Sequence, residues 1–433
     1  MRKHTFRVIT ATVVATAGLG LAGQDAQAQL AEASASTLAL SGAQTATVRG
    51  FGAISVNPAG LGMEGSGFSL AILPVQARTG FGPVKLSDLS EYEQTLVPDA
   101  VKEAWLTSIE AAGGQSALAG FDVSGFALTF GNFGLQLSTT GSADFNLPPG
   151  VAEAILFGNA GRTGEATDLD LTGLGADAFA TTTAGASYAF PVGPAMFGVT
   201  GKYTMGHGLA VARATSGSIS SDPIRITLES PAVGPCDDEA LGSCTRSSGN
   251  NGGGFGADVG FMMNLPMVRI GASIINVFNT FAWDVETLAY LPGTTLVEEG
   301  TSESDFDEAP YANAPANLRE IVDGYGFKPT IRAGAAMDFP MDLTVSADIH
   351  HRVSDEGLGL GPRSHLGVGA EWRALKLIHL RAGAGLISGG TQFSGGASLV
   401  LGPVNLSVAG ALRDAEAGNQ ETLAQFTLSF GNR

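Results

Sequence analysis

The sequence predicts an all-β fold: a transmembrane antiparallel β-barrel of about fourteen strands, with helices inserted in its loops. Three observations predict it. Glycine takes 61 of 433 positions, about twice the ~7% of an ordinary soluble protein, so the chain needs many tight turns and close backbones. Hydrophobic residues make up 44% of the chain and mean hydropathy is +0.19. Beyond the N-terminus, however, no apolar run approaches the roughly 20 residues that a membrane helix needs. Finally, short segments of alternating polarity recur in pairs around tight turns, as strands with one apolar and one polar face would.

The first residues read as an export signal. Arg2, Lys3 and Arg7 form a positive start, Val8 to Gly23 an apolar stretch, and Ala26-Gln27-Ala28 a small-residue cleavage site. Residues 1–28 are therefore expected to be removed, with the mature chain starting near Gln29. A first strand is expected at 66–73. Six hairpins follow: 122–130 with 133–139, 181–190 with 195–203, 254–263 with 267–276, 330–338 with 342–350, 364–373 with 377–386, and 392–401 with 404–412. Most turn on residues that tolerate tight reversal, such as Gly131-Asn132, Gly193-Pro194, Pro340-Met341 and Gly402-Pro403; Arg373 to Lys376 is a polar exception. A last strand at 422–430 makes the count even and leaves both chain ends on the side of the short turns. The opposite connections are mostly long, at 140–180, 204–253, 277–329 and 351–363. Outer-membrane barrels combine short periplasmic turns with long extracellular loops, so the expected location is the outer membrane of a Gram-negative-type bacterium.

Alternation within strands agrees. In 364–373, Leu366, Val368, Ala370 and Trp372 share one face, and His365, Gly367, Gly369, Glu371 and Arg373 share the other. The last strand sends Phe426, Leu428 and Phe430 outward, resembling the aromatic-ended assembly signal of bacterial outer-membrane proteins. A soluble sandwich also alternates, but it accounts less well for an apolar face on every strand. Two helices are expected in the loops. Asp88–Ala112 carries Leu96, Val97, Val101, Trp105 and Ile109 at near-helical spacing, and Pro149–Phe157 begins with a proline where helices tolerate one.

The charge balance limits function. With Lys+Arg 23 against Asp+Glu 41 the net charge is -18, which disfavours a nucleic-acid partner. No nucleophile elbow, zinc helix or paired C-x-x-C is present, and Gly252–Gly256 lacks the spacing of a phosphate loop. Adjacent His350 and His351 point to opposite faces of a strand and cannot share a metal. No enzyme activity, cofactor or metal site is therefore expected. Cys236 and Cys244 lie in a Gly/Ser/Asn-rich connection of an exported chain, which favours a disulfide. The acidic segment Glu298–Glu308 reads as a solvated loop, with divalent-ion binding as the alternative. Strand phase places Lys202, Arg269, Arg332, Arg352, Arg373, Arg381 and Arg413 on the lumen side, against Asp258, Asp348 and Glu371. Either these charges pair with one another and fill the lumen, or unpaired arginines hold the head group of an amphipathic anion.

At Ser41–Gly62, Gly50-Phe51-Gly52-Ala53 leads into Asn57-Pro58-Ala59-Gly60-Leu61-Gly62. This stretch resembles the N-terminal region of FadL-type long-chain fatty-acid transporters and of related PorV-like barrels. Leu147-Pro148-Pro149 through Leu156-Phe157-Gly158-Asn159 is similar to a family of predicted outer-membrane barrels in the same group. The resemblance implies a small hatch inside the barrel, on residues 29–65 with Asn57, Pro58, Ala59 and Gly60 in it, followed by the barrel at 66–433. It also implies a monomer surrounded by membrane lipids that passes hydrophobic or amphipathic small molecules. The alternative is an assembly barrel that scaffolds an envelope or secretion partner.

Overall fold

The computed structural model describes residues 30–65, 67–158, 161–163, 168–221, 224–236, 249–298, 301–354, 361–414 and 418–431. Fourteen strands form one closed antiparallel barrel. They are β1 (Phe68–Gly82), β2 (Gln115–Phe130), β3 (Phe133–Leu147), β4 (Gly175–Val192), β5 (Ala195–Arg213), β6 (Gly252–Asn264), β7 (Arg269–Asn279), β8 (Thr330–Phe339), β9 (Leu343–Arg352), β10 (Ser364–Leu375), β11 (Ile378–Ile387), β12 (Gly390–Leu401), β13 (Val404–Asp414) and β14 (Gln420–Gly431). Each pairs with its chain neighbours, and β1 pairs with β14 from Ser69↔Gly431 to Phe81↔Gln420, which leaves the barrel sheet no open edge.

These are the fourteen strands that the alternation predicts, but several run further. β2 starts at Gln115 rather than 122, and β5 continues to Arg213 rather than 203. At their long-loop ends the strands carry small and polar residues on both faces, so backbone pairing continues where the apolar alternation has faded. β1 runs on past a bulge. Leu73 adopts φ 47°, the register slips between Ile72 and Val75, and Pro74, with no N–H to give, occupies the gap. The inward phase switches there, from Ser69 and Ala71 to Gln76 and Arg78.

Outward side chains are largely apolar: in β9, exposed Val345 and Ile349 alternate with Thr344, Ser346 and Asp348, which are buried inward. At the short-turn end Phe133, Tyr188, Phe190, Phe197 and Phe261 form a row on the outer face, with successive ring centroids 4.6, 6.3, 6.3 and 5.3 Å apart. Such a girdle marks a membrane interface.

The segment before β1 lies inside the barrel. It contains α1 (Ala35–Ala39), α2 (Ala53–Val56) and 3₁₀ turns at Gly50–Gly52 and Pro58–Gly62. Its Val48, Ile54, Val56 and Leu61 pack against Ala71, Ala127 and Ala189 of the wall.

The expected helix over Asp88–Ala112 is instead two, α3 (Leu86–Ser90) and α4 (Asp99–Ala112). Pro98 accounts for the break: it lacks an N–H, disfavours helix at Val97, and stands extended at the N-cap of α4. α5 (Pro149–Phe157) forms as expected and packs on α4 through Leu106, Ile109 and Ala152. The acidic segment is partly a hairpin rather than a loop, with exposed Thr301–Asp305 paired to Thr294–Glu298. At the long-loop end Leu209, Val211, Phe281, Trp283, Leu288 and Phe327 form an apolar cluster with Leu318 and Val322 of α6 (Ala316–Gly324). Cys236 is buried and disulfide-bonded; Cys244 and the expected export signal lie outside the described residues.

Candidate functional site

Glycines in the wall let the N-terminal segment approach the strands backbone to backbone. A Cβ on Gly260 would stand 2.1 Å from Asn57 Oδ1, and one on Gly198 2.2 Å from the Pro58 carbonyl carbon. Asn57 is fully buried and seats the turn: its amide nitrogen donates to Thr45 O (2.9 Å) and Phe261 O (3.0 Å), while its oxygen accepts from Ala59 N (3.2 Å). Further round, Ser346 Oγ donates to Ala43 O (2.6 Å), Ser273 Oγ to Val56 O (2.8 Å) and Gln136 Nε2 to Ala31 O (2.6 Å). The Ser41-Gly42 turn holds φ 50° and 74° and sits beneath His350 and His365, whose rings are 5.4 Å apart.

A polar cavity opens on the long-loop side of this segment. Ala31, Glu32, Thr37, Leu38 and Gly42 form its floor. Arg78, Arg332, Arg363, Arg413, Asp122, His350, His365, Gln392 and Leu423 are among its walls. Arg332 Nη2 pairs with Glu32 Oε1 at 2.9 Å, so the wall grips the segment by a salt bridge. Arg332 is 5% exposed, and among the described residues its Nε and Nη1 find no hydrogen-bond partner. Arg413 donates to Gln392 Oε1 (2.6 Å) and Glu421 Oε2 (3.2 Å), and Gln392 donates to Ser41 Oγ (2.9 Å). Arg78 reaches Asp122 at 3.4 Å.

A second charged group lies towards the short turns. Arg49 Nη1 of the N-terminal segment donates to Val48 O (2.9 Å) and stands 4.0 Å from Met262 Sδ. Burial first, and then the guanidiniums of Arg269 and Arg373, bring Arg49 down to about 10. Arg269 pairs with Asp338 at 2.6 Å, and Glu371 is shared by Arg373 (2.9 Å) and Arg381 (2.6 Å).

The predicted lumen residues thus separate into four environments. Arg332 belongs to the upper cavity together with Arg413. Arg269, Arg373 and Arg381 belong to the lower group. Lys202 belongs to neither: it is sealed against Asp258 at 2.6 Å, a carboxylate that also accepts from Asn276 N (2.7 Å). Arg352 donates to the carbonyls of Ser354 (3.1 Å) and Gly361 (3.3 Å), which makes it a tie for a loop. The lumen arginines are therefore largely paired, and the inward acids include Glu32, Asp122 and Glu421 beyond the three expected. Arg78 and Asp122 were not singled out by sequence. The bulge at Leu73-Pro74 hides Arg78 by ending the visible strand before it, although Gln76 and Arg78 alternating with Val75 and Ala77 carry the signal.

No family model matches the chain, and no curated protein matches it in sequence. Among solved structures it is similar to the toluene transporter TbuX of Ralstonia pickettii, 13% identical over 93% of this chain and 99% of that one, with a TM-score of 0.52. It is also similar to a FadL homologue of Pseudomonas aeruginosa, 9% identical over 95% and 99% of the two chains, with a TM-score of 0.49. The end-to-end match to TbuX shows a shared fold.

Proposed function

We propose that this barrel is a passive outer-membrane transporter for hydrophobic or amphipathic molecules, with long-chain carboxylates as fitting cargo and residues 30–65 as its hatch. The observation that carries the reading is the cavity above the hatch, where Arg332 has two buried donors without a partner among the described residues, beside Arg78, Arg363 and Arg413. A buried donor without a partner costs about 1–3 kcal/mol, more when charged, and an arriving carboxylate removes that cost. Leu38 and Leu423 give the same cavity an apolar wall for the start of a hydrocarbon tail. The fold shared with a toluene transporter supports passage of apolar molecules.

Gating follows from competition. Glu32 of the hatch already holds one nitrogen of Arg332, so a cargo carboxylate on the other two competes with Glu32 for the same guanidinium charge and weakens one of the ties that hold the hatch to β8. Passage then requires the turn around Leu40 to leave its seat against Gly369 and Gly383, where a Cβ would stand 2.8 and 2.5 Å from it. The assembly-barrel reading rests on a different observation, the exposed Leu86, Leu96 and Ile155 of the first long loops.

Mass spectrometry of lipids extracted from the detergent-purified, heat-modifiable barrel tests the proposal, with an unrelated barrel from the same membranes as control. A stoichiometric amphiphile that is enriched in the wild type and lost in Arg332→Gln is the expected result. An extract matching the control, from folded protein, overturns the transport reading and passes the case to the scaffold one.

A further inference from the structure

The lower charged group has the makings of a binding site of its own. Arg269, Arg373 and Arg381 pair with two carboxylates, Asp338 and Glu371, and Arg49 of the hatch stands beside them, its Nη1 4.0 Å from Sδ of Met262, which lies opposite Gly271 of β7, two residues from Arg269. Glu371 gives Oε1 to Arg381 and Oε2 to Arg373, at 2.6 and 2.9 Å. Asp338 Oδ1 is divided between Arg269 (2.6 Å) and Thr344 Oγ1 (2.7 Å). Arg269 Nε is buried with no hydrogen-bond partner among the described residues. The group is also reachable, because the Arg373 and Asp338 side chains are 43% and 65% exposed at the short-turn end.

We infer that Arg49, Arg269 and Arg373 form a second oxyanion site below the hatch, which receives the carboxylate head group of the cargo before it leaves the lumen. The geometry gives this site a property that the upper cavity lacks. Arg49 travels with the hatch, whereas Arg269 and Arg373 are fixed on β7 and β10. An oxyanion bridging the three therefore ties the hatch to the wall, while a carboxylate at Arg332 loosens it by competing with Glu32 for the same guanidinium. Cargo above favours the open hatch and cargo below favours the closed one, and the net direction of passage is set by the cargo's own gradient. This coupling rests on the proposed transport reading; the site itself rests on its own residues.

Isothermal titration of the delipidated, full-length barrel in detergent tests it, with decanoate and inorganic phosphate as separate probes and heat-modifiability as the check on folding. Two decanoates per barrel are expected, one weakened roughly tenfold or more by Arg49→Gln and the other by Arg332→Gln, as loss of a charge-assisted contact predicts. One decanoate sensitive only to Arg332→Gln overturns the lower site and leaves the proposed function standing. One sensitive only to Arg49→Gln keeps the lower site and overturns the upper cavity as the cargo entrance. Phosphate that binds in an Arg49-dependent way where decanoate does not overturns the cargo assignment in favour of a free anion. No binding of either probe overturns the site altogether.

Discussion

Two bodies occupy the lumen, and they are held by different forces. The cluster at the long-loop end is an apolar core of large side chains. Trp283 stands edge-on to Phe281 at 5.2 Å, donates to Tyr325 O at 3.0 Å, and packs against the inward Gly206. The hatch also buries Val48, Ile54, Val56 and Leu61, but against Ala71, Ala127 and Ala189 of the wall, and its remaining ties are the Arg332–Glu32 ion pair and single hydrogen bonds, many of them to Ser, Thr and Gln side chains. Burying one large apolar side chain stabilises by about 1.5–3 kcal/mol, whereas one hydrogen bond contributes about 0.5–1.5 kcal/mol net because water makes it nearly as well. The first construction resists separation, and the second can exchange its contacts for water one at a time. For the proposed gating this contrast predicts that the loop cluster stays fixed to the barrel and that the hatch is the part that gives way.

The contrast can be broken at either body. Trp283→Ala should lower the stability of the loop cluster by about 3–5 kcal/mol, read as lost hydrogen-exchange protection over 281–327 with protection of residues 35–62 unchanged. Loss spreading equally to the hatch would show the two to be one cooperative unit. Asn57→Ala removes a fully buried side chain with three hydrogen bonds and should loosen the hatch by about 2–3 kcal/mol, seen as faster exchange over 45–62 in a barrel that remains heat-modifiable. Gly367→Val places a Cβ 2.2 Å from Ser41 O. Its overpacking cost of about 1–3 kcal/mol should push the turn away and raise conductance in planar bilayers. Unchanged conductance would mean that this turn does not obstruct the lumen. Arg162→Ala is the smallest. Arg162 pairs at the surface with Glu110, Glu103 and Glu153, and its loss should cost no more than about 1 kcal/mol, leaving α4 and α5 held by Leu106, Ile109 and Ala152.

The fourteen strands were legible because lipid outside and a polar interior impose a period of two. Where that contrast ends, so does the signal, as at the long-loop ends of β2 to β5 and beyond the bulge that reverses the phase of β1. The charged site was legible only in part. Strand phase says which face a residue occupies, so Arg332 and Arg352 looked alike. It says nothing of height or neighbour, and one meets a hatch carboxylate while the other meets loop carbonyls. Nor could phase supply Glu32 or Arg49, which lie on a segment with no period of its own. Its course inside the barrel is fixed by glycines scattered over many strands, each of which looks unremarkable in its own hairpin.

The seam between β1 and β14 has a consequence for the order of events during assembly. It joins the two ends of the barrel sequence, and the hatch immediately precedes β1. A chain that closed the seam first would have to draw residues 30–65 into a cylinder already sealed. A chain that lays the hatch along the growing concave sheet before the last strand zips onto the first avoids that step, and its wall contacts form successively as each strand arrives. On this view the hatch serves as a mandrel around which the sheet curls, and a variant without it should be delayed at closure rather than in strand formation.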